Sequence, residues 1–187
     1  MDEVTPEQSQ QSIIQAPRVL IVEPNRSYCG VLARRIGEGG YRVATAASAQ
    51  AAMAELNRLH VDLVIAELRM PGSGGAELCA MIREDAVHRH IPVMLITGRS
   101  EPRTPVRAYE AGADDVILKP FHMEVLLARI ARRLESARAI EALRNDNAVL
   151  DARVVTRAIE LGEVRDRLRA SEVERARLAT MVGRGAS

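Results

Sequence analysis

The chain reads as an α/β protein: a doubly wound five-stranded parallel sheet, followed by a long C-terminal α-helix that forms a coiled coil. Three observations predict this. Short apolar runs of β-compatible residues alternate with segments of helical spacing, the pattern of βαβ units. Several of those runs end on a polar side chain and then a turn, which in a parallel sheet brings the side chains to one crevice at the carboxyl edge. The last part of the chain carries apolar residues in heptads.

The run Val61-Asp62-Leu63-Val64-Ile65-Ala66-Glu67 is central. Its apolar stretch leads into an acid and then a loop closed by Pro71-Gly72, as expected of a buried strand delivering a carboxylate to the sheet edge. Val19 to Val22 ends in Glu23, Val93 to Ile96 in Thr97, and Val116 to Leu118 in Lys119-Pro120. Tyr41 to Ala46 supplies the remaining strand.

In chain order, Met1 to Ala16 is polar, rich in Gln and Ser, and expected to be a disordered arm. The turn at Pro24-Asn25-Arg26-Ser27 opens a helix with Tyr28, Val31, Leu32 and Ile36 at helical spacing, stopped by Gly37 to Gly40. Ser48 is a good N-cap for a second helix with Ala51, Ala52, Leu56 and Leu59 on one side. A third helix carries Leu78, Cys79, Met81 and Ile82. Pro102 and Pro105 interrupt the start of the fourth, which is expected to begin near Pro105 and to be short, because proline fits only a first turn. Leu126, Ile130 and Leu134 form the packed face of a fifth helix.

The motifs Leu68-Arg69-Met70-Pro71-Gly72, Thr97-Gly98, Ala111 to Asp115 and Lys119-Pro120-Phe121 together resemble a response-regulator receiver domain of two-component signalling, over Pro17 to Leu134. The resemblance implies the flavodoxin-like or CheY-like strand order 2-1-3-4-5 and a cis bond before Pro120. Matched by position, Glu67 stands where receivers carry the phosphoacceptor aspartate. The acidic pair that holds magnesium is reduced to Glu23 and Pro24, and the aromatic switch residue is Val116, while Thr97 and Lys119 remain. The chain therefore looks like a degenerate receiver, a pseudo-receiver.

Chemistry supports that expectation. Glutamate is one methylene too long for in-line attack, and a misplacement of about 1 Å can cost about a hundredfold. Pro24 removes a hard oxygen ligand, so magnesium binding is expected to be weak or absent and no other cofactor or catalytic group is expected. Glu67 could reach Lys119 and Thr97 and stand in for a phosphorylated aspartate, or the switch could simply have decayed. Of 26 basic residues only Lys119 is lysine, which suggests either a local need for a compact ammonium or a cap on the fifth strand that keeps the crevice neutral.

Beyond Leu134 the spacing turns to heptads over residues 135–183, leaving a short tail at 184–187. Ile140, Asn147, Val154, Leu161, Leu168, Arg175 and Val182 take one seam position. Leu143, Leu150, Arg157, Val164, Ser171 and Leu178 take the other. A helix from His122 to Val182 would extend about 90 Å and cannot bury this seam on its own domain, so it needs a second copy. Asn147 favours a parallel, in-register homodimer, and Glu160 with Arg165 and Arg167 with Glu172 add cross-strand pairs.

Length and composition set the remaining bounds. A chain of 187 residues holds one buried domain and an extension. A net charge of +1 gives no bulk attraction to nucleic acid or acidic membrane, and the coil lacks a basic block. No apolar run spans a bilayer, the start lacks a signal peptide, and Cys29 and Cys79 read as buried free thiols, so a cytoplasmic location is expected. Three functions follow. The first is a phosphorylation-independent, dimeric signalling adapter with an unidentified protein partner. The second is the regulatory front of a cyclic-di-GMP enzyme of the HD-GYP or GGDEF type, or of a kinase, suggested by linker-like residues Asn145 to Leu161. The third is a phosphoacceptor that works through Glu67.

Overall fold

A computed structural model describes residues 16–98 and 104–184. The expected N-terminal arm, except for Ala16, and most of the expected tail lie outside the described residues, as does Pro102. The elements follow as β1 (Arg18–Val22), α1 (Arg26–Glu38), β2 (Arg42–Ala46), α2 (Ala49–Arg58) and β3 (Leu63–Glu67). They continue as α3 (Gly75–Glu84), β4 (Val93–Thr97), α4 (Thr104–Glu110), β5 (Asp115–Leu118) and α5 (Met123–Arg184).

The strands form one parallel sheet in the order β2-β1-β3-β4-β5. Register sets the functional edge. Val22 lies beside Ala66, Glu67 beside Ile96, and Thr97 beside Leu118, so Glu23, Glu67, Thr97 and Lys119 end their strands within a step of one another. Each strand alternates between two apolar layers, as the two-residue period of a strand requires. Leu20, Val22, Val64, Ala66 and Leu95 pack with Ala52 and Leu56 of α2 and Leu78 and Ile82 of α3. Val19, Ile21, Leu63, Ile65 and Ile96 pack with Leu32 and Ile36 of α1 and Leu126, Ile130 and Leu134 of α5.

Helix faces depart from the sequence expectation in detail. In α1 the buried line is Cys29, Leu32 and Ile36, while Val31 is half exposed. Ala51 and Met81 likewise face outward. Ser48 caps α2 by accepting the Ala51 N–H. Helix α4 spans seven residues with Pro105 in its first turn. Gly75 lets α3 approach the sheet closely, since a Cβ there would lie 2.5 Å from the Glu67 carbonyl oxygen.

The amino-terminal edge of the sheet is tied by Arg83. Its guanidinium donates to the Gly112, Arg89 and Ile91 carbonyls and to Asp114, whose same oxygen accepts the Val93 N–H at 2.7 Å. The chain divides into two compact units between Arg138 and Ala139, with the sheet in the first and only helix α5 described in the second. Among the described residues no helix is long and apolar enough to cross a membrane.

Replacing Arg83 with Ala should destabilise the first unit by about 2 kcal/mol, because it leaves the Asp114 carboxylate and three carbonyls short of a donor. Urea denaturation followed by the tyrosine signal measures this. Arg83→Lys should recover little, since an ammonium cannot span the same fork.

Candidate functional site

The crevice at the carboxyl edge is built by strand ends and by the first turn of α1. Glu67 closes β3, and its Oε2 accepts from Lys119 Nζ at 2.5 Å. Its Oε1 accepts the Arg69 N–H at 3.3 Å. Glu23 follows β1 and is buried, with Oε1 accepting the Asn25 N–H at 2.8 Å and Oε2 lying 3.7 Å from Lys119 Nζ. Lys119 follows β5, held by its N–H to the Thr97 carbonyl at 2.7 Å, and the Lys119-Pro120 bond is cis.

Tyr28 is the site residue that sequence reasoning did not single out. It packs in part against the layer of Leu32 and Ile36, as its helical spacing predicts, and its ring also sits 4.1 Å from the Lys119 ammonium, measured to the ring centroid. The partial signal lay in Asn25, whose side chain caps α1 by accepting the Tyr28 N–H at 3.0 Å and so fixes that residue at the mouth of the crevice.

Of the remaining expected site residues, Thr97 is fully buried and its hydroxyl donates to the Gly98 carbonyl at 3.4 Å. Of the contacts expected for Glu67, that with Lys119 is formed, and the Thr97 hydroxyl turns to its neighbouring carbonyl instead. Val116 packs against the layer that holds α2 and α3, and Pro24 sits next to Glu23 without a side-chain donor or acceptor. The seam residues Ile140, Leu143, Leu150, Val154, Leu161, Val164 and Leu168 all lie on α5 and are between 48% and 69% exposed. Asn147 is also exposed, and Leu178 lies in α5 with its side chain outside the described set.

Electrostatics favour a charged lysine in this setting. Burial by itself would lower the Lys119 pKa. The hydrogen bond and charge of Glu67, joined by Tyr28 and Glu23, outweigh burial and hold it above its ordinary 10.5. Burial raises the Tyr28 phenol, partly offset by Lys119 and reinforced by Glu23 and Glu67.

Residues 19–131 match the response regulator receiver domain. The chain belongs to the response regulator receiver family. Among curated relatives, the "Probable cyclic di-GMP phosphodiesterase" of Vibrio cholerae is 30% identical over 148 residues, 79% of this chain and 33% of that protein. The phosphate regulon transcriptional regulatory protein PhoB of Klebsiella pneumoniae is 31% identical, over 73% of this chain and 61% of its own length. The chain thus spans less than two thirds of either relative. The signal receiver domain of a histidine kinase from Syntrophus aciditrophicus superposes with a TM-score of 0.62 at 35% identity, covering 65% of this chain and 92% of that one. The Vibrio cholerae chemotaxis response regulator CheY4 gives 0.59 at 26%, covering 63% and 98%.

Receiver chemistry implies magnesium, and the donors in this crevice do not fit it. Both oxygens of Glu67 and one of Glu23 already accept hydrogen bonds, and Glu23 Oε2 faces Lys119. Pro24 adds no side-chain oxygen. Among the described residues no group of three or more His, Cys, Asp or Glu side chains is placed to hold a metal ion.

The raised Lys119 pKa makes a signed prediction. Its contribution to stability is complete below about 10.5 and is lost as pH climbs through the raised folded value. The deficit of Lys119→Met should therefore be constant from neutral to mildly alkaline pH and shrink only in strong base, as read from thermal melts across that range.

Proposed function

We propose that this receiver works without phosphorylation, as a non-enzymatic regulatory adapter held in a parallel homodimer by α5 and acting on a protein partner in the cytoplasm. The observation that carries the reading is Glu67, at the phosphoacceptor position and bonded to Lys119. The lysine that would steady an incoming phosphoryl group is already engaged, and the donors that would hold magnesium are absent or occupied. Decay of the switch is favoured over mimicry of the phosphorylated state. Mimicry would draw the Thr97 hydroxyl to Glu67, yet that hydroxyl bonds the Gly98 carbonyl, and Val116 has no ring to follow it.

The dimer rests on the exposed seam of α5. A stripe of large apolar residues open to water on one helix is what a second helix covers. A second reading has one specific observation in its favour. The alignment with the Vibrio cholerae phosphodiesterase covers 148 residues of this chain, more than residues 1–131 can supply, so it reaches beyond the receiver match into the later part of α5. In that reading the receiver and helix together form a regulatory unit that transmits to an output domain of cyclic-di-GMP chemistry.

Intact mass after incubation with magnesium and acetyl phosphate tests the first claim. The wild type should gain no phosphoryl group, while a Glu67→Asp, Pro24→Asp double variant should gain one. Uptake mapped to Glu67 in the wild type would overturn the reading.

Sedimentation equilibrium tests the second. The wild type should be dimeric at micromolar concentration and a Leu150→Asp, Leu161→Asp variant monomeric, with the receiver still folded. A monomeric wild type would sink the coiled-coil assignment.

A further inference from the structure

We propose that Tyr28 is a positioning residue, whose ring face holds the Lys119 ammonium against Glu67 and forms the third side of a partly open cage around it. The inference deepens the reading of the crevice as closed by its own residues, and rests on it.

A lysine side chain carries its charge on a flexible four-carbon stem, so one carboxylate does not fix where the ammonium sits. Here the ammonium has three neighbours of negative character. Glu67 is in direct contact at 2.5 Å, Glu23 stands at 3.7 Å, and the Tyr28 ring lies 4.1 Å away. The electron-rich face of an aromatic ring attracts a cation most strongly where water is excluded, and the Lys119 side chain is only 30% exposed.

The ring is held from its backbone. The Asn25 side chain accepts the Tyr28 N–H, while the Asn25 N–H donates to Glu23 Oε1. A single residue thus places both the ring and the second carboxylate, and the Tyr28 ring packs in part against the layer holding Leu32 and Ile36. With the ring in place, the ammonium is kept in the crevice beside Glu67 and Glu23.

The chain has one lysine, so a protein grown with 13C-lysine gives one ε-methylene signal and needs no assignment. We expect that signal to be displaced upfield by the ring at neutral pH in the wild type and in Tyr28→Phe. In Tyr28→Leu, which keeps apolar cover without a π face, the displacement should vanish and the titration midpoint should fall by about half a pH unit. Greater access of water alone would raise the midpoint, because burial by itself lowers it.

A wild-type signal at the unstructured position would overturn the proposal without any variant. So would a Tyr28→Leu midpoint equal to the wild type, or a Tyr28→Phe signal that matches Tyr28→Leu. Glu67→Gln separates the two levels of the argument: it should lower the midpoint while the ring displacement persists. An unchanged midpoint in Glu67→Gln would refute the self-closed crevice itself, whatever Tyr28 does.

Discussion

The ion pair between Glu67 and Lys119 is the contact on which the crevice depends. Two carboxylates, Glu23 and Glu67, end adjacent strands at the same level because the register of β1 on β3 leaves them no alternative. Both are largely withdrawn from water, and like charges so placed oppose each other. Lys119 is the cation that faces both, delivered from β5 by a backbone bond to Thr97. Losing it would leave buried negative charge without a partner, the costly way to break such a pair. This also accounts for its being a lysine in a chain that otherwise uses arginine. A guanidinium is a wide planar fork, whereas the space between Glu67, Glu23 and the Tyr28 ring accepts a compact ammonium.

How much of this was legible in the sequence depends on the range of the interaction. Strand ends were plain, because Glu67, Thr97 and Lys119 each follow an apolar run too short and too β-branched to be anything else. Parallel topology then carried those ends to one edge. The strand order came with the family resemblance. Helix faces were less secure: Cys29 was read as buried and does extend the line of Leu32 and Ile36, whereas Val31, read from the same spacing, is half exposed. The role of Tyr28 was out of reach, since it requires the start of α1 to meet the end of β5, ninety-one residues away in the chain. Arg83 with Asp114 was hidden for the same reason, across a separation of 31 residues.

The second unit obeys a different physics. The described side chains of its helix are exposed throughout in the single chain, and isolated helices owe little of their stability to propensity alone. A seam of Leu, Ile and Val supplies the missing term only when it meets another helix. Under the proposed reading, Asn147 restricts the alignment of that seam, because other registers would leave it unpaired, while Arg157, Ser171 and Arg175 weaken it. Heptads were therefore the most readable feature of this part, and the identity of the covering helix the least, since a stripe specifies what it needs and not who provides it.

The crevice and the helix are joined by a short stretch of chain. Lys119 follows β5 and lies four residues before α5 begins at Met123, and α5 packs on the sheet through Leu126, Ile130 and Leu134 before its seam starts at Ile140. A receiver that gains and loses a phosphoryl group can bias such a junction only if the two charge states differ in their contacts there. Under the proposed reading no phosphoryl group is gained or lost in the crevice, where the ammonium is engaged by Glu67, Glu23 and the ring. Under the proposed reading, the information that enters this molecule then has to arrive by binding. A partner that changes the state of the dimer must contact the receiver surface or the helix directly, and its effect is bounded by its difference in affinity for the two states.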